Sequence, residues 1–384
     1  MPADVFLSTR NPEMKLRQKI WQLNWGMVLL LCLVAGVGFA MLYSAANGAF
    51  DPWASAQMMR FGLGFTIMIV VALVDIRFWY RYAYLIYFGS FALLGAVEVM
   101  GDIGMGAQRW IDLGFVRLQP SEMMKVALVL ALARYFHGLS MEDVGRPLLL
   151  LLPLGMVMAP AGLVLKQPDL GTAGMLILAS GAVFFSAGVR WWKFALLIVA
   201  GLASGPVAWG FLHDYQKDRV LTFLNPENDP LGAGYHTLQA MIGFGSGAIT
   251  GKGFMQGTQS HLNFLPEKQT DFIFTMLAEE FGLVGSLTLL VLYFLLLAYG
   301  FAIAFRARNQ FARLLALGLT TNLFLYVFIN MAMVMGMFPV VGVPLPLVSY
   351  GGTVLLTVMA SMGLVMSCYI HRDVRISRRG TAEV

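Results

Sequence analysis

Residues 213–271 read HDYQKDRVLTFLNPENDPLGAGYHTLQAMIGFGSGAITGKGFMQGTQSHLNFLPEKQTD, the longest polar, glycine-rich interval in an otherwise apolar chain. The last of them, Asp271, leads directly into a long hydrophobic segment, FIFTMLAEEFGLVGSLTLLVLYFLLLAYG (272–300). A carboxylate at the mouth of a membrane helix is costly to keep there, so it marks a candidate functional site. The bland alternative is an N-terminal helix charge favoured by the helix dipole. On spacing alone the two are evenly balanced.

Composition supports the membrane reading. The chain has 384 residues, 58% hydrophobic and 12% charged, with a mean hydropathy of +0.72. A soluble domain carries roughly 45–50% apolar and about 25% charged residues. The sequence therefore predicts one polytopic, all-α integral membrane domain. Its net charge of +5 is explained by basic loops and does not call for nucleic acid. Cys32 and Cys368 each lie in an apolar run, which suggests neither a disulfide nor a metal site. The first apolar run starts near Trp25 and is too long for a signal-peptide core, so it is expected to be a first span rather than a cleaved leader.

A span needs about 20 mostly apolar residues. Ten candidates follow, at 25–45, 57–74, 82–100, 121–137, 147–165, 170–188, 192–212, 271–304, 312–335 and 345–370. Lysine and arginine set the orientation. With both termini in the cytoplasm, most of the 26 basic residues fall in inward segments. The expected organisation is a cytoplasmic N-terminal arm (1–20), a membrane domain (21–372) and a cytoplasmic tail (373–384). The large loop 213–270, between spans seven and eight, is then extracytoplasmic.

Three other unusual intervals fall on that outer side: GDIGMGAQRWIDLGFVRLQPSEMMK before span four, KQPDLGTA before span six, and GMFPVVGVPLPLVSYGGT before span ten. They bring candidates with them. Glu122 and Lys125 are three apart and share a helix face, as a site or as a structural pair. Pro120 suits a first helical turn, where its missing N–H costs nothing. Lys166 and Asp169 flank a second Gln-Pro, and Asp169 is equally suited to capping its helix. Arg60, Arg109 and Arg117 stand at span starts or in the outer loops, as ligands or as interfacial anchors. Asp271, Thr275, Ala278 and Gly282 would share one helix face, small beyond Asp271 and able to pack closely on another helix. Glu279 and Glu280 suit packing or a cavity wall. His213, His236 and His261 lack metal-ligand spacing and suit the loop surface. Tyr235–Phe244 is amphipathic enough to lie in the membrane interface.

Other motifs are absent. SGAITGKG has Ser246 and Gly253 where a phosphate-binding loop needs glycine and Ser or Thr, and GFGSG (243–247) reads as a flexible, close-approach loop. Neither HExxH nor GxSxG occurs. Clustered cations suit an anionic diphosphate headgroup, and a lone carboxylate suits taking a proton from a hydroxyl. Sugar transfer from a lipid diphosphate needs both. A proton-coupled transporter could use the same carboxylates as a relay.

The stretches GAQRWIDLG (106–114), RLQPSEMMK (117–125), KQPDLGTA (166–173), FLNPENDPLGAGYHTLQAMIGFGSGAITGKGF (223–254), HLNFLPEKQTDFIFTMLAEEFG (261–282) and GVPLPLVSYGGT (342–353) resemble the SEDS (FtsW/RodA/SpoVE) family, its elongation branch more than its division branch. The resemblance covers about 20–372. It implies ten spans and a peptidoglycan glycosyltransferase that polymerises lipid II at the outer face of the bacterial cytoplasmic membrane. It implies as partners lipid II, the undecaprenyl-diphosphate-linked glycan, a class B penicillin-binding transpeptidase and other elongation-complex proteins. It matches Asp271 to the essential aspartate, the general base on the acceptor hydroxyl. Glu122, Lys125 and Asp169 match cavity residues, and Arg60, Arg109 and Arg117 match cations around the lipid-linked substrate, with Lys166 grouped beside them. A divalent cation, Mg or Mn, stays open, with its ligands unknown. A lipid II flippase and a non-catalytic scaffold are the rival functions.

Overall fold

The computed structural model describes residues 15–100, 102–104, 107–112, 117–140, 142–211, 217, 221–225, 233–262, 264–265 and 267–377. The arm before residue 15, His213, the His236 side chain and the tail beyond residue 377 lie outside the described residues. A short helix α1 (Leu16–Trp21) precedes α2 (Trp25–Ala45), α3 (Trp53–Leu73), α4 (Ile76–Met100), α5 (Pro120–His137), α6 (Pro147–Lys166), α7 (Leu170–Ala187) and α8 (Trp191–Phe211). The outer-loop helix α9 (Ala233–Ser246) follows, then α10 (Ile273–Arg306), α11 (Gln310–Val334) and α12 (Gly352–Ile370). Among the described residues eight helices are long and apolar enough to cross a membrane. The other two expected spans are α5, which carries Glu122, Lys125 and Arg134, and α8, whose longest apolar stretch is shorter.

Local chemistry sets several helix ends. Pro120 begins α5. Asn24 and Asn309 cap α2 and α11 by accepting from Met27 N (3.1 Å) and Ala312 N (2.7 Å), which satisfies otherwise orphaned donors. Gly188 ends α7 at φ +106°, a conformation that favours glycine. The last span is shorter than expected. Residues 345–351 are not helical, and α12 begins only at Gly352. The interval before α5 is not plain loop either. It holds a small antiparallel sheet, β1 (Asp102–Gly104), β2 (Ala107–Asp112) and β3 (Arg117–Leu118), in the order β1-β2-β3.

Helix α11 is the centre, packed against α5, α7, α9, α10 and α12. The two ends of the bundle differ. At one end Gln57 Nε2 donates to Ser349 O (2.9 Å), Thr353 Oγ1 to Arg117 O (2.7 Å), Arg109 Nε to Gln167 O (3.1 Å) and Ser349 Oγ to Thr270 O (2.6 Å). The four unusual intervals of the sequence therefore meet at one end. The basic loops meet at the other, through Lys19 on Leu73 O (3.0 Å), Arg134 on Arg81 O (2.7 Å) and Asn309 on Val374 O (3.0 Å).

Helix α10 departs from the expectation twice. It starts at Ile273, so Asp271 precedes it and shares no helical face with Thr275. It is also broken at Gly282, which has φ 63° and ψ −155°. Leu283 and Val284 then cannot donate to the carbonyls of Glu279 and Glu280. The loop 247–253 takes all four groups: Leu283 N donates to Ala248 O (3.0 Å) and Val284 N to Ile249 O (3.1 Å), while Lys252 N and Gly253 N donate to Glu279 O and Glu280 O (3.0 Å each). This loop is pinned, not flexible. Its close approach is real, because a Cβ on Gly247 or Gly251 would collide with the α10 backbone. The small face is real too: Gly243 packs on Thr275 and Gly247 on Ala278, so one face of α9 and the residue after it rest on α10.

Gly282→Ala should lower thermal stability by about 3 kcal/mol or abolish folding, because this backbone region is essentially glycine-only and the new Cβ would meet Gly251 N and Ile249 O. Gly36→Ala, where a Cβ meets nothing within 4 Å, should melt like the parent. Thermal unfolding in detergent checks the pair.

Candidate functional site

The segment before α10 is a tight turn. Thr270 Oγ1 donates to Glu267 Oε2 (2.8 Å), and Thr270 N to Glu267 O (3.0 Å). The next three carbonyls then point away from any helix ladder, and each takes a donor from elsewhere in the chain. Gln269 O accepts from Tyr350 N (2.8 Å), Thr270 O from Ser349 Oγ (2.6 Å) and Asp271 O from Asn330 Nδ2 (2.9 Å). Asn330 Nδ2 also donates to Val343 O (2.7 Å). The backbone of Asp271 is thereby tied to α11 and to the 342–351 loop.

The carboxylate rests against that loop at Gly342, where a Cβ would lie 3.5 Å from Asp271 Oδ2. Gly342 has φ +71°, which again favours glycine. Asp271 is half-buried, and among the described residues no group donates to its carboxylate. Phe272, not Asp271, occupies the cap position of α10, with no side-chain cap bond. The helix N-terminus therefore does little to lower the carboxyl. Burial, and then the nearby Glu267, raise its pKa from 3.8 to about 6.

A buried polar cluster lies one turn along α11. Glu122 Oε1 and Lys125 Nζ are 2.8 Å apart, and both side chains are buried. The buried Tyr326 hydroxyl donates to Glu122 Oε2 and accepts from Lys125. The expected helical pair is present, but its third member comes from two hundred positions away. Asp169 caps α7, accepting from Thr172 N (3.0 Å) and Thr172 Oγ1 (2.9 Å). It also faces Arg109 Nη1 at 3.7 Å. Arg109 Nη2 donates to Pro168 O (2.6 Å). Gly171 in the first turn of α7 packs on Val341, so residues 341–343 lie between the Asp169 corner and Asp271.

The other cations divide. Arg60 lies over the Tyr350 ring, 4.6 Å from its centroid, beside Gly352. The Arg117 carbonyl anchors Thr353, and its residue is exposed. Lys166 does not join them: it is exposed and turned to Glu98 at 4.0 Å. Glu279 and Glu280 are fully buried and engaged. Glu279 meets Lys252 (2.7 Å) and Gln259 N (2.9 Å), and Glu280 accepts from Ser44 Oγ (2.5 Å). His261 is no simple surface residue, since it bridges Glu280 (3.1 Å) and Asn47 (2.6 Å).

Tyr326 and Asn330 are absent from the sequence-derived candidates. Their signal was available, because Asn322, Tyr326 and Asn330 recur every fourth residue in an otherwise apolar helix, and polar side chains inside membrane helices are by default functional candidates.

Residues 23–374 match the FtsW/RodA/SpoVE family, described as cell cycle proteins. The peptidoglycan glycosyltransferase MrdB of Escherichia coli K12 is 46% identical over 348 residues, covering 90% of this chain and 93% of that protein. The stage V sporulation protein E of Bacillus subtilis is 33% identical over 351 residues, covering 89% and 95%. Among solved structures, one describing how a peptidoglycan synthase complex coordinates polymerization and crosslinking aligns with a TM-score of 0.80 at 34% identity, covering 91% of this chain and 98% of that chain. The rod shape determining protein RodA of Thermus thermophilus aligns with a TM-score of 0.70 at 30% identity, covering 92% and 98%.

One consequence of the geometry needs no knowledge of activity. A carboxyl with a folded pKa raised to about 6 loses stability as pH rises from its unfolded value through the folded one. Asp271→Asn should therefore melt above the parent at pH 8 and together with it below pH 4. Melting curves across that range check the sign.

Proposed function

The chain belongs to the FtsW/RodA/SpoVE family, and we propose that Asp271 is the general base of its reaction. It is a multi-pass membrane protein and a peptidoglycan glycosyltransferase. The proposed chemistry is polymerisation of lipid II during cell elongation. The 4-hydroxyl of the acceptor GlcNAc attacks the anomeric carbon of the undecaprenyl-diphosphate-linked strand. The bond from that carbon to the diphosphate oxygen breaks, undecaprenyl diphosphate leaves, and the hydroxyl proton passes to Asp271. The anomeric configuration inverts from α to β.

The observation that carries this reading is the state of the Asp271 carboxylate. It is half-buried, held by no donor among the described residues, and poised at about 6. A base with a pKa near the working pH is both ionised and able to accept a proton. A carboxylate locked in hydrogen bonds would be a poorer one. Arg60, Arg109 and Arg117 lie at the same end of the bundle and would stabilise the departing diphosphate. Lys166 is left out of this group because it turns to Glu98. Glu122, Lys125 and Asp169 would hold the walls through Tyr326 and Arg109.

No three His, Cys, Asp or Glu side chains group as a metal site among the described residues. A Mg or Mn ion accompanying the diphosphate would need only one or two carboxylates. We further propose that this end of the bundle faces outward from the bacterial inner membrane, and that a class B transpeptidase and other elongation proteins are its partners. The alignment with a peptidoglycan synthase complex supports the partnership.

The test is polymer formation by purified protein from lipid II across pH. The parent should lose activity below about pH 6 as Asp271 protonates. Folded Asp271→Asn should lose on the order of 10²–10⁴-fold in rate. Undiminished polymer from that variant would remove Asp271 from the base role, and lipid movement without polymer would favour a flippase.

A further inference from the structure

Asn330 makes two contacts that meet on either side of the Asp271 carboxylate. Both hydrogens of its Nδ2 are used, one on Asp271 O (2.9 Å) and one on Val343 O (2.7 Å). The first fixes the backbone that carries the carboxylate. The second fixes the irregular segment whose Gly342 forms the wall beside Oδ2. The side chain is completely buried on α11, and its Oδ1 has no partner among the described residues. A buried amide with an unmet acceptor is not a cheap way to add stability. We propose that Asn330 is a positioning residue for the reaction, clamping Asp271 and the Gly342–Val343 wall together so that the carboxylate stays in its recess. This rests on the reading of Asp271 as base.

Three observations favour positioning over mere packing. First, Ser349 Oγ and Tyr350 N already hold Thr270 O and Gln269 O, so the 342–351 loop stays attached without Asn330. What Asn330 adds is control at Asp271 itself. Second, Tyr326 lies one turn away on the same face of α11 and binds Glu122 and Lys125. One rigid helix therefore sets both the buried ion pair and the base. Third, little else near Asp271 is charged. Glu267 faces it from its own turn, and Arg60 lies over Tyr350 and beside Gly352. The 342–351 loop and residues 327–334 of α11 carry no charged side chain. The environment of the carboxylate therefore depends mainly on how tightly the recess is closed.

The experiment compares Asn330→Leu, which keeps the branched shape but removes both donors, with Asn330→Ser, which keeps one donor. Polymerisation of lipid II by the purified proteins is measured as kcat, KM and acid limb. kcat should fall about 10-fold for serine and about 100-fold for leucine, in line with a 1 Å misplacement. KM should hold within about twofold, since Asn330 does not reach the substrate. The acid limb should move below that of the parent, because a loosened recess admits water to the carboxylate. If the leucine variant does not fold, the serine variant decides. A folded Asn330→Ser with the parental kcat and acid limb, or a loss carried by KM alone, overturns the proposal. Asp271→Asn in parallel separates the two ideas: full activity there sinks the base reading, whatever Asn330 does.

Discussion

Three consecutive backbone carbonyls, those of Gln269, Thr270 and Asp271, govern this end of the molecule. They stand just before a long membrane helix, where no ladder can use them. Unpaired polar groups in such surroundings cost several kcal/mol each. The fold answers with one donor apiece, from Tyr350, Ser349 and Asn330. Those donors come from α11 and from a loop that would otherwise have continued α12 toward its N-terminus. The irregular 342–351 segment and Asn330 on α11 thereby fix the backbone at Asp271.

The same helix carries a second irregularity with the same logic. At Gly282 the ladder of α10 is interrupted, and the 247–253 loop supplies the four missing partners. Non-helical backbone at membrane depth persists only when buried in protein or lining a cavity, and here it is spliced into a neighbouring loop. The splice anchors α9, Lys252 and His261 against the first turns of α10, with Glu279 and Glu280 buried beneath them. The start of α10 is thus fixed from two sides. On one side lies the splice, and on the other the seat of Asp271. Because Asp271 is two residues outside the helix, the opposing effects of burial and helix dipole do not balance, and burial prevails.

What the sequence showed was local. Glu122 and Lys125 three apart, Pro120 in a first turn, Asp169 ahead of Thr172 and a small face at Thr275 and Ala278 each follow from short-range rules, and the structure contains all four. Length and apolarity located eight of the ten expected spans as helices able to cross a membrane, with α5 and α8 outside that set, and placed the start of the last one too early, at residues 345–351. What was hidden was long-range. Tyr326 joins Glu122 across 204 positions and Asn330 joins Asp271 across 59, separations at which no spacing rule operates. Gly282 looked like one more small residue, because a break in a helix is visible only once the loop that fills it is in place. Lys166 was grouped with the arginines as another cation on the expected outer side, yet its side chain is exposed and turns to Glu98. The short sheet at 102–118 lacked an alternating pattern to announce it.

The central claim concerns one proton. Infrared difference spectra of the parent minus Asp271→Asn, recorded across pH, isolate the protonated carboxyl of Asp271. The expected result is a carbonyl band that disappears with a midpoint near pH 6. A midpoint at or below pH 4, the range of an ordinary solvated aspartate, would contradict a carboxylate seated by its three clamped carbonyls and tuned by burial.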